Sequence, residues 1–219
     1  MFGACAGAYV SACNVRWLSN RLATPLRGST RVHANLSAFE GREVVVTLKM
    51  DGENTTFMRD GLHARSIEYE PDPSRSRVKA LWATMAHNIS PSWRVSGENL
   101  HAKHSIAYRN LPAYFLIFSM WNEKNVCLSW DDTTEWAALL DLPMVPVLYR
   151  GVWNEKLVRA SFPETYDGDP TEGYVVRPAA EFGYGDFRRL VGKYVRAGHN
   201  NMHGRKMRSD FTPNGLATT

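Results

Sequence analysis

Apolar residues run without polar alternation through Val44, Val45 and Val46 and resume at Leu48, so residues 44–49 read as a strand covered on both faces. Residues 55–58 and 62–66 flank Arg59-Asp60-Gly61. An Asp-Gly pair between two strand-like runs predicts a tight hairpin, because glycine accepts the positive φ such turns need. Val78, Leu81, Trp82 and Met85 fall on one helical stripe, which predicts a helix over 77–88 with Pro91 just past its end. Residues 93–99, 113–121 and 126–130 read as strands, the last two joined by the turn "NEKN". A helix over 132–140 follows, with Asp132 as its cap and Glu135 completing a capping box. Residues 145–153 and 173–177 read as further strands, and 163–171, rich in Asp, Gly and Pro, as a loop. Many strands, few helices and no internal repeat predict an α+β domain of mostly antiparallel sheets with flanking helices.

Composition narrows the class. A chain of 219 residues with 44% hydrophobic content and seven tryptophans can build an ordinary packed core. The three cysteines, Cys5, Cys13 and Cys127, form no CxxC or Cys/His zinc spacing. This argues against a disulfide scaffold or zinc site and fits a reducing compartment such as the cytoplasm. No apolar run reaches membrane-spanning length, so no membrane partner is expected. Residues 1–39 hold no acid and carry Arg16, Arg21, Arg27 and Arg31; they read as a basic arm whose role in organelle targeting stays open.

The net charge of +4 says little by itself, but its distribution says more. From Phe187 to Ser209 there is no acid, while Arg188, Arg189, Lys193, Arg196, Arg205, Lys206 and Arg208 all lie there. Such a block is either a solvated face or a surface that meets phosphate. The reading divides the chain into an arm (1–39), a main domain (40–200) and a basic C-terminal tail (201–219), with no room for an appended nucleic-acid-binding domain.

A lone lysine then needs explaining. In "VVVTLKMDGENTT" a covered strand delivers Lys49 beside Asp51, Gly52 and Glu53. Taken alone, it reads as a solvated turn residue. Downstream, however, "HARS" carries Arg65, "RVSGENL" carries Glu98, "EGYVVR" carries Glu172 and Gly173, and "VGKYVR" carries Lys193.

In this order, these stretches resemble the nucleotidyltransferase motifs of ATP-dependent polynucleotide ligases and RNA capping enzymes. The resemblance is nearest to RNA ligases of the phage T4 RNA ligase 2 type. "KMDGENTT" resembles that family's nucleophile motif, "GENLHAKHSIAY" its third motif and "YFLIFSMW" its aromatic strand. "EGYVVR" and "VGKYVR" resemble its fourth and fifth motifs. The likeness spans roughly residues 43–196. It implies the nucleotidyltransferase (adenylation) domain of the ATP-grasp-like ligase type and a covalent lysine–AMP intermediate drawn from ATP.

The resemblance assigns roles. Lys49 is the expected nucleophile, and Lys193 the α-phosphate contact. Glu98 and Arg65 serve ribose or phosphate oxygens, and Phe118 stacks on adenine. Asp51 and Gly52 shape the nucleotide site. Glu172 holds Mg²⁺ or Mn²⁺, because a bare carboxylate beside phosphate would be repulsive. An unperturbed lysine, with a pKa near ~10.4, is mostly protonated at neutral pH, so a metal or a nearby cation such as Lys193 is expected to free the amine. Arg188, Arg189, Arg196, Arg205, Lys206 and Arg208 are assigned to the nucleic acid. On this reading, removal of residues 203–219 should spare self-charging and weaken only end-sealing.

Two departures stand out. Leu48 occupies a position where relatives often carry an acid, and Arg196, three residues after Lys193, stands in for a second motif-five lysine. The expected activity is joining of 3′-hydroxyl and 5′-phosphate RNA ends or nicks, with no obligatory protein partner. The alternatives are a DNA ligase, a GTP-using capping enzyme of the same fold, and a catalytically silent nucleic-acid-binding module. His101, His104, His199 and His203 read as ordinary surface or hydrogen-bonded residues.

Overall fold

The computed structural model describes residues 16–17, 36–64, 73–196 and 211–218. Thirteen strands are formed by these residues: β1 (Arg16–Trp17), β2 (Glu43–Lys49), β3 (Glu53–Met58), β4 (Gly61–Ala64), β5 (Arg94–Asn99), β6 (Phe115–Trp121), β7 (Val126–Cys127), β8 (Val147–Val152), β9 (Thr165–Tyr166), β10 (Asp169–Pro170), β11 (Gly173–Pro178), β12 (Phe182–Gly183) and β13 (Gly192–Val195). The helices are α1 (Ser76–Met85), α2 (Trp130–Leu139), α3 (Glu155–Ala160) and the single turn α4 (Phe187–Leu190).

The strands build two main sheets. One has the order β1-β13-β11-β2-β8, the other β12-β7-β6-β5-β3-β4, and β9 and β10 form a small separate hairpin. Neighbours are antiparallel except β1 beside β13. The expected α+β architecture with flanking helices is therefore the one observed.

β2 carries Val44, Val45, Val46 and Leu48 because both its faces are covered. Val44 and Val46 pack with Val158 of α3, Tyr174 and Val176 on the outer side. Val45 joins Leu100, Leu116, Trp130 and Val145 in the core between the two sheets. The outer face of the six-stranded sheet (Phe57, Val95, Phe115, Ile117, Met120) is closed by Val78 and Met85 of α1 and Ala137 of α2. Burial of these faces is the dominant stabilising term of the fold.

Three local expectations are corrected. The β3–β4 turn is Arg59-Asp60, since Met58 pairs directly with Gly61. No positive φ is used there, and Gly61 is simply the first residue of the return strand. Arg59 instead reaches across to the end of α1, where Nε donates to the Ile89 carbonyl at 2.9 Å and Nη2 to that of His87 at 2.9 Å. Orphan carbonyls past a helix end are thereby satisfied. α2 starts three residues early. Ser129 is the cap, its hydroxyl accepting from the Asp132 amide at 3.1 Å, and Trp130 opens the helix instead of ending a strand. Finally, the 163–171 loop contains the β9–β10 hairpin, whose Asp167-Gly168 pair takes φ of 54° and 86°. That pair is the Asp-Gly turn of the kind expected at residues 60–61.

The two sheets are joined at the lysine. β2 belongs to one sheet and β3 to the other, and only residues 50–52 lie between them. The chain crosses from sheet to sheet immediately after Lys49, which is why a covered strand ends in polar residues there.

Candidate active site

Lys49 ends β2 opposite Gly173, the first residue of β11. Its ammonium forms an ion pair of 2.8 Å with Oε1 of Glu172, whose side chain is 1% exposed against 22% for the lysine. Paired residues share a face of a sheet, as do residues two apart. Lys193 pairs with Val175, so it stands on the same face as Lys49, one row further along. Arg196 donates its backbone N–H to the Glu172 carbonyl at 2.9 Å and Nε to the Thr171 carbonyl at 2.6 Å. The sequence reading placed Arg196 with the nucleic-acid contacts; the structure ties it to the residues that carry Glu172, at the rim of the lysine site.

Gly173 is required by close approach. A Cβ there would lie 1.9 Å from the Tyr194 carbonyl oxygen. Gly52 is constrained in the same way: a Cβ would lie 2.5 Å from the Asn99 carbonyl oxygen, and its N–H donates to Oε1 of Glu98 at 3.1 Å. The two motif glycines thus let β11 and the sheet crossing pack around the lysine and its two glutamates.

Glu98 lies on β5, facing the space between the sheets beside Leu116 and Asn54. Loss of hydration pushes its carboxyl up to about 7; the lysine opposes this, Glu172 adds to it, and the Gly52 amide opposes it. For Lys49, burial works to lower the pKa. Glu172, Glu98 and Asp51 outweigh it, so the ammonium is held above its ordinary range. Sequence reasoning expected a metal or a nearby cation such as Lys193 to free the amine for attack. The structure instead surrounds it with carboxylates, a resting arrangement that keeps the lysine charged.

Linkage then gives a pH prediction. A carboxyl with folded pKa raised above its unfolded value of about 4.3 contributes stability below that value and loses it as pH rises through about 7. Glu98→Gln should therefore gain stability relative to the wild type as pH is raised from about 4 to 8. Denaturant midpoints measured across that range check it, and parallel curves would contradict the burial of Glu98.

Asp51 does not touch Lys49 directly. Its Oδ2 accepts from the Ser105 amide at 2.8 Å, the Ser105 hydroxyl at 2.6 Å and the Ile106 amide at 2.9 Å, and its own N–H donates to the Tyr108 hydroxyl at 2.9 Å. Its role here is to clamp the crossing against residues 105–108. Asp51→Ala strips a charged acceptor from three donors and should cost about 2–3 kcal/mol, read from the denaturant midpoint.

Phe118 sits where β6 slips register against β5 and packs on the core between the sheets. A bulge re-aims side chains in this way. Arg65, Arg205, Lys206 and Arg208 lie outside the described residues, as do His199 and His203. Arg188 and Arg189 are exposed on α4, remote in register from Lys49, with Arg189 paired to Asp186 at 2.9 Å. Arg177, the last residue of "EGYVVR", is buried between the Trp130 and Phe182 rings and takes no place at the lysine. Leu48 is 3% exposed in the core, so an acid at that position would be buried here. His101 bonds the Ser74 carbonyl at 3.0 Å and packs on Tyr114 and Phe211, whereas His104 is exposed.

Motif reading missed several contributors. A small pocket at the lysine is lined by Leu48, Lys49, Glu172, Thr171, Ile106, Tyr108 and Tyr166. Tyr108 ends the stretch quoted as the third motif, and Tyr166 sits on the unforeseen hairpin. Arg109 and Asn110 lock that hairpin to the Tyr108 loop, since both their backbone amides donate to the Asp167 carboxylate.

A family model described as RNA ligase matches residues 42–195. The chain belongs to the RNA ligase family. The matched span runs from the first residues of β2 to the end of β13 and so takes in Lys49, Glu98, Glu172 and Lys193. Solved structures agree on the fold of this RNA ligase family member. A substituted form of the Naegleria gruberi RNA ligase with ATP and Mn superposes with a TM-score of 0.54 at 16% identity, covering 84% of this chain and 60% of that one. The Naegleria gruberi RNA ligase with PPi gives 0.52 at 17% identity, covering 81% and 60%. An archaeal ATP-dependent RNA ligase gives 0.51 at 15% identity, covering 78% and 48%. The chain spans about half to three fifths of the length of these proteins. No curated protein matches it by sequence.

Among the described residues no three His, Cys, Asp or Glu side chains gather into a ready metal site. Glu98 and Glu172 both act on the Lys49 charge. Two carboxylates suit Mg²⁺ or Mn²⁺, hard cations that complete their shell with phosphate oxygens and water.

Proposed function

We propose that the chain is an ATP-dependent RNA ligase that charges Lys49 with AMP and passes the AMP to a 5′-phosphate end. The observation that carries this reading is the Lys49–Glu172 pair at 2.8 Å, set at the crossing of two sheets with Glu98 beside it. A lysine in that position is oriented, part-buried and reachable. A lysine serving as a surface turn residue would need neither glutamate.

Bottom-up, the steps follow from what the residues hold. Lys49 Nζ must lose its proton to water before it can attack; until then Glu172, at 2.8 Å, holds and orients the ammonium. The free amine attacks the α-phosphorus of ATP; the new N–P bond forms as the bond to the bridging oxygen breaks, and pyrophosphate leaves with the electron pair. Lys193, on the lysine's face of the sheet, and Arg196, bonded to the Thr171 carbonyl, offer positive charge for the phosphoryl oxygens. A divalent cation on Glu172 and Glu98 would supply charge neutralisation of the phosphates and disfavour the ammonium form of the lysine. Phe118 provides a flat face for adenine and Glu98 an acceptor for ribose hydroxyls. In the later steps a 5′-phosphate oxygen takes AMP from Lys49, and a 3′-hydroxyl then displaces AMP from that end.

The nucleic acid is assigned to the basic residues between Phe187 and Ser209. Arg188 and Arg189 lie exposed on α4, and Arg205, Lys206 and Arg208 extend the cationic stretch in sequence. The compartment is proposed to be a reducing one, and no helix among the described residues is long and apolar enough to cross a membrane.

The experiment is a sealing assay on nicked 3′-hydroxyl/5′-phosphate duplexes with all-RNA, all-DNA and mixed strands, supplied with ATP or GTP. Sealing of nicks with RNA strands by ATP is expected. Sealing confined to DNA, or dependence on GTP, would move the chain to a different member of the same fold.

A further inference from the structure

Beyond the matched family span, residues 211–218 return to the core. This corrects the division that made residues 201–219 one basic tail. Ala102 bridges Pro213 and Leu111 bridges Leu216, so the segment lies along residues 100–111 as a strap. Its centre is Asn214, 4% exposed. Oδ1 of Asn214 accepts the Tyr108 amide at 3.0 Å, and Nδ2 donates to the carbonyls of Leu100 at 2.8 Å and Ala102 at 3.3 Å. The Asn214 backbone N–H donates to the His101 carbonyl at 3.0 Å, and its carbonyl accepts from the Tyr114 hydroxyl at 3.0 Å. The Gly215 amide donates to the Tyr108 carbonyl at 2.8 Å.

Both backbone groups of Tyr108 are therefore held by the strap. The Tyr108 side chain in turn reaches the crossing after the lysine: its hydroxyl accepts the Asp51 N–H, and its ring lines the pocket with Lys49 and Glu172. The amides of Ser105 and Ile106, in the same strapped loop, hold the Asp51 carboxylate. A continuous path of hydrogen bonds thus runs from Asn214 through Tyr108 to Asp51, two residues from Lys49.

We propose that Asn214 is a positioning residue for the charging reaction, and that residues 211–218 are a working part of the nucleotide site. This rests on the ligase reading above. The strap fixes the loop that brings Tyr108 to the lysine pocket, so its loss lets Tyr108 and the residue 50–52 crossing shift. A displacement of about 1 Å at a reacting centre can cost about a hundredfold in rate while leaving binding largely intact. The sequence-based expectation that residues 203–219 are dispensable for charging is replaced by its opposite for residues 211–218.

The test uses the full chain and the variants N214A, N214D, Y108F and N214A/Y108F. Three quantities are read: hydrogen exchange at the Tyr108 amide, the rate of AMP attachment at saturating ATP, and the ATP concentration giving half that rate. N214A is expected to lose protection at Tyr108 and to charge at least about tenfold more slowly, with a smaller change in half-saturation. N214D keeps the acceptor for the Tyr108 amide but can donate to the Leu100 carbonyl only when protonated, so it should recover rate relative to N214A as pH is lowered. Because Asn214 acts through Tyr108, the double variant should charge at a rate close to that of the slower single variant. If N214A does not fold, N214D and N214D/Y108F carry the same comparison. A folded N214A that charges like the wild type, unchanged exchange at Tyr108, or simple multiplication of the two losses would each overturn the proposal. If the wild type takes up no AMP at all, the ligase reading fails, while the exchange at Tyr108 still decides whether the strap holds the loop.

Discussion

Lys49→Ala abolishes covalent attachment of AMP, because no other amine ends β2 beside Glu172. The same change is expected to cost stability. Glu172 is 1% exposed, and removing the ammonium at 2.8 Å takes a bonded positive charge away from a buried carboxylate. Breaking a buried pair from one side costs about 3 kcal/mol or somewhat more, because the remaining charge has lost its water. Lys49→Ala/Glu172→Gln should be more stable than Lys49→Ala alone, since a neutral amide no longer needs the ammonium. Denaturant midpoints of the two variants, compared with adduct formation in each, separate the chemical role from the structural one. An adduct that persists in Lys49→Ala would remove this residue as nucleophile. Equal midpoints for the two variants would show that the carboxylate is not held at the lysine's expense.

Gly173→Ala should be the most damaging single methyl in the site. Its Cβ would lie 1.9 Å from the Tyr194 carbonyl oxygen, which is backbone and cannot rotate away. β11 and β13 must separate at the row that also holds Lys49, since Gly173 pairs with Lys49 on one side and Val195 on the other. The expected loss is at the upper end of the ~1–3 kcal/mol typical of overpacking, together with a strong fall in charging. Thermal unfolding and adduct yield measured on the same preparation check both. A variant as stable as the wild type would mean that the two strands are not in this register.

The elements legible in the sequence are those whose signal is local. β2 and β6 are mostly apolar runs, broken at Thr47 and Ser119, and α1 shows its stripe through Val78, Leu81, Trp82 and Met85. The errors arise where two local signals compete and only packing decides. Both Ser129 with Asp132 and Asp132 with Glu135 satisfy the capping pattern; burial of Trp130 in the inter-sheet core selects the first. Asp60-Gly61 and Asp167-Gly168 look alike, but the pairing of Met58 with Gly61 leaves the first without a positive φ.

In the site, the gathering of Lys49, Glu98, Glu172 and Lys193 was legible because the order of the motifs along the chain carries information. Tyr108 and Tyr166 were not, since an aromatic residue near a motif is as often core. Asn214 could not be found by periodicity: its side-chain partners lie more than a hundred residues away. The "TPNG" stretch announces a turn but not what the turn rests against.

The sequence expectation of a lysine protonated at rest holds, but the size of its carboxylate surroundings was not legible. A motif names which groups meet but not how far burial and three carboxylates offset one another. The structure gives the direction: the resting lysine is protonated, so charging must begin by moving that proton. The most direct measurement is incubation of the purified chain with ATP labelled at the α-phosphate and Mg²⁺ or Mn²⁺, followed by peptide mapping of the labelled protein. The account predicts one AMP per chain, carried on Lys49 and discharged by added pyrophosphate. Label absent, or carried on another residue while Lys49 stays unmodified, would contradict it.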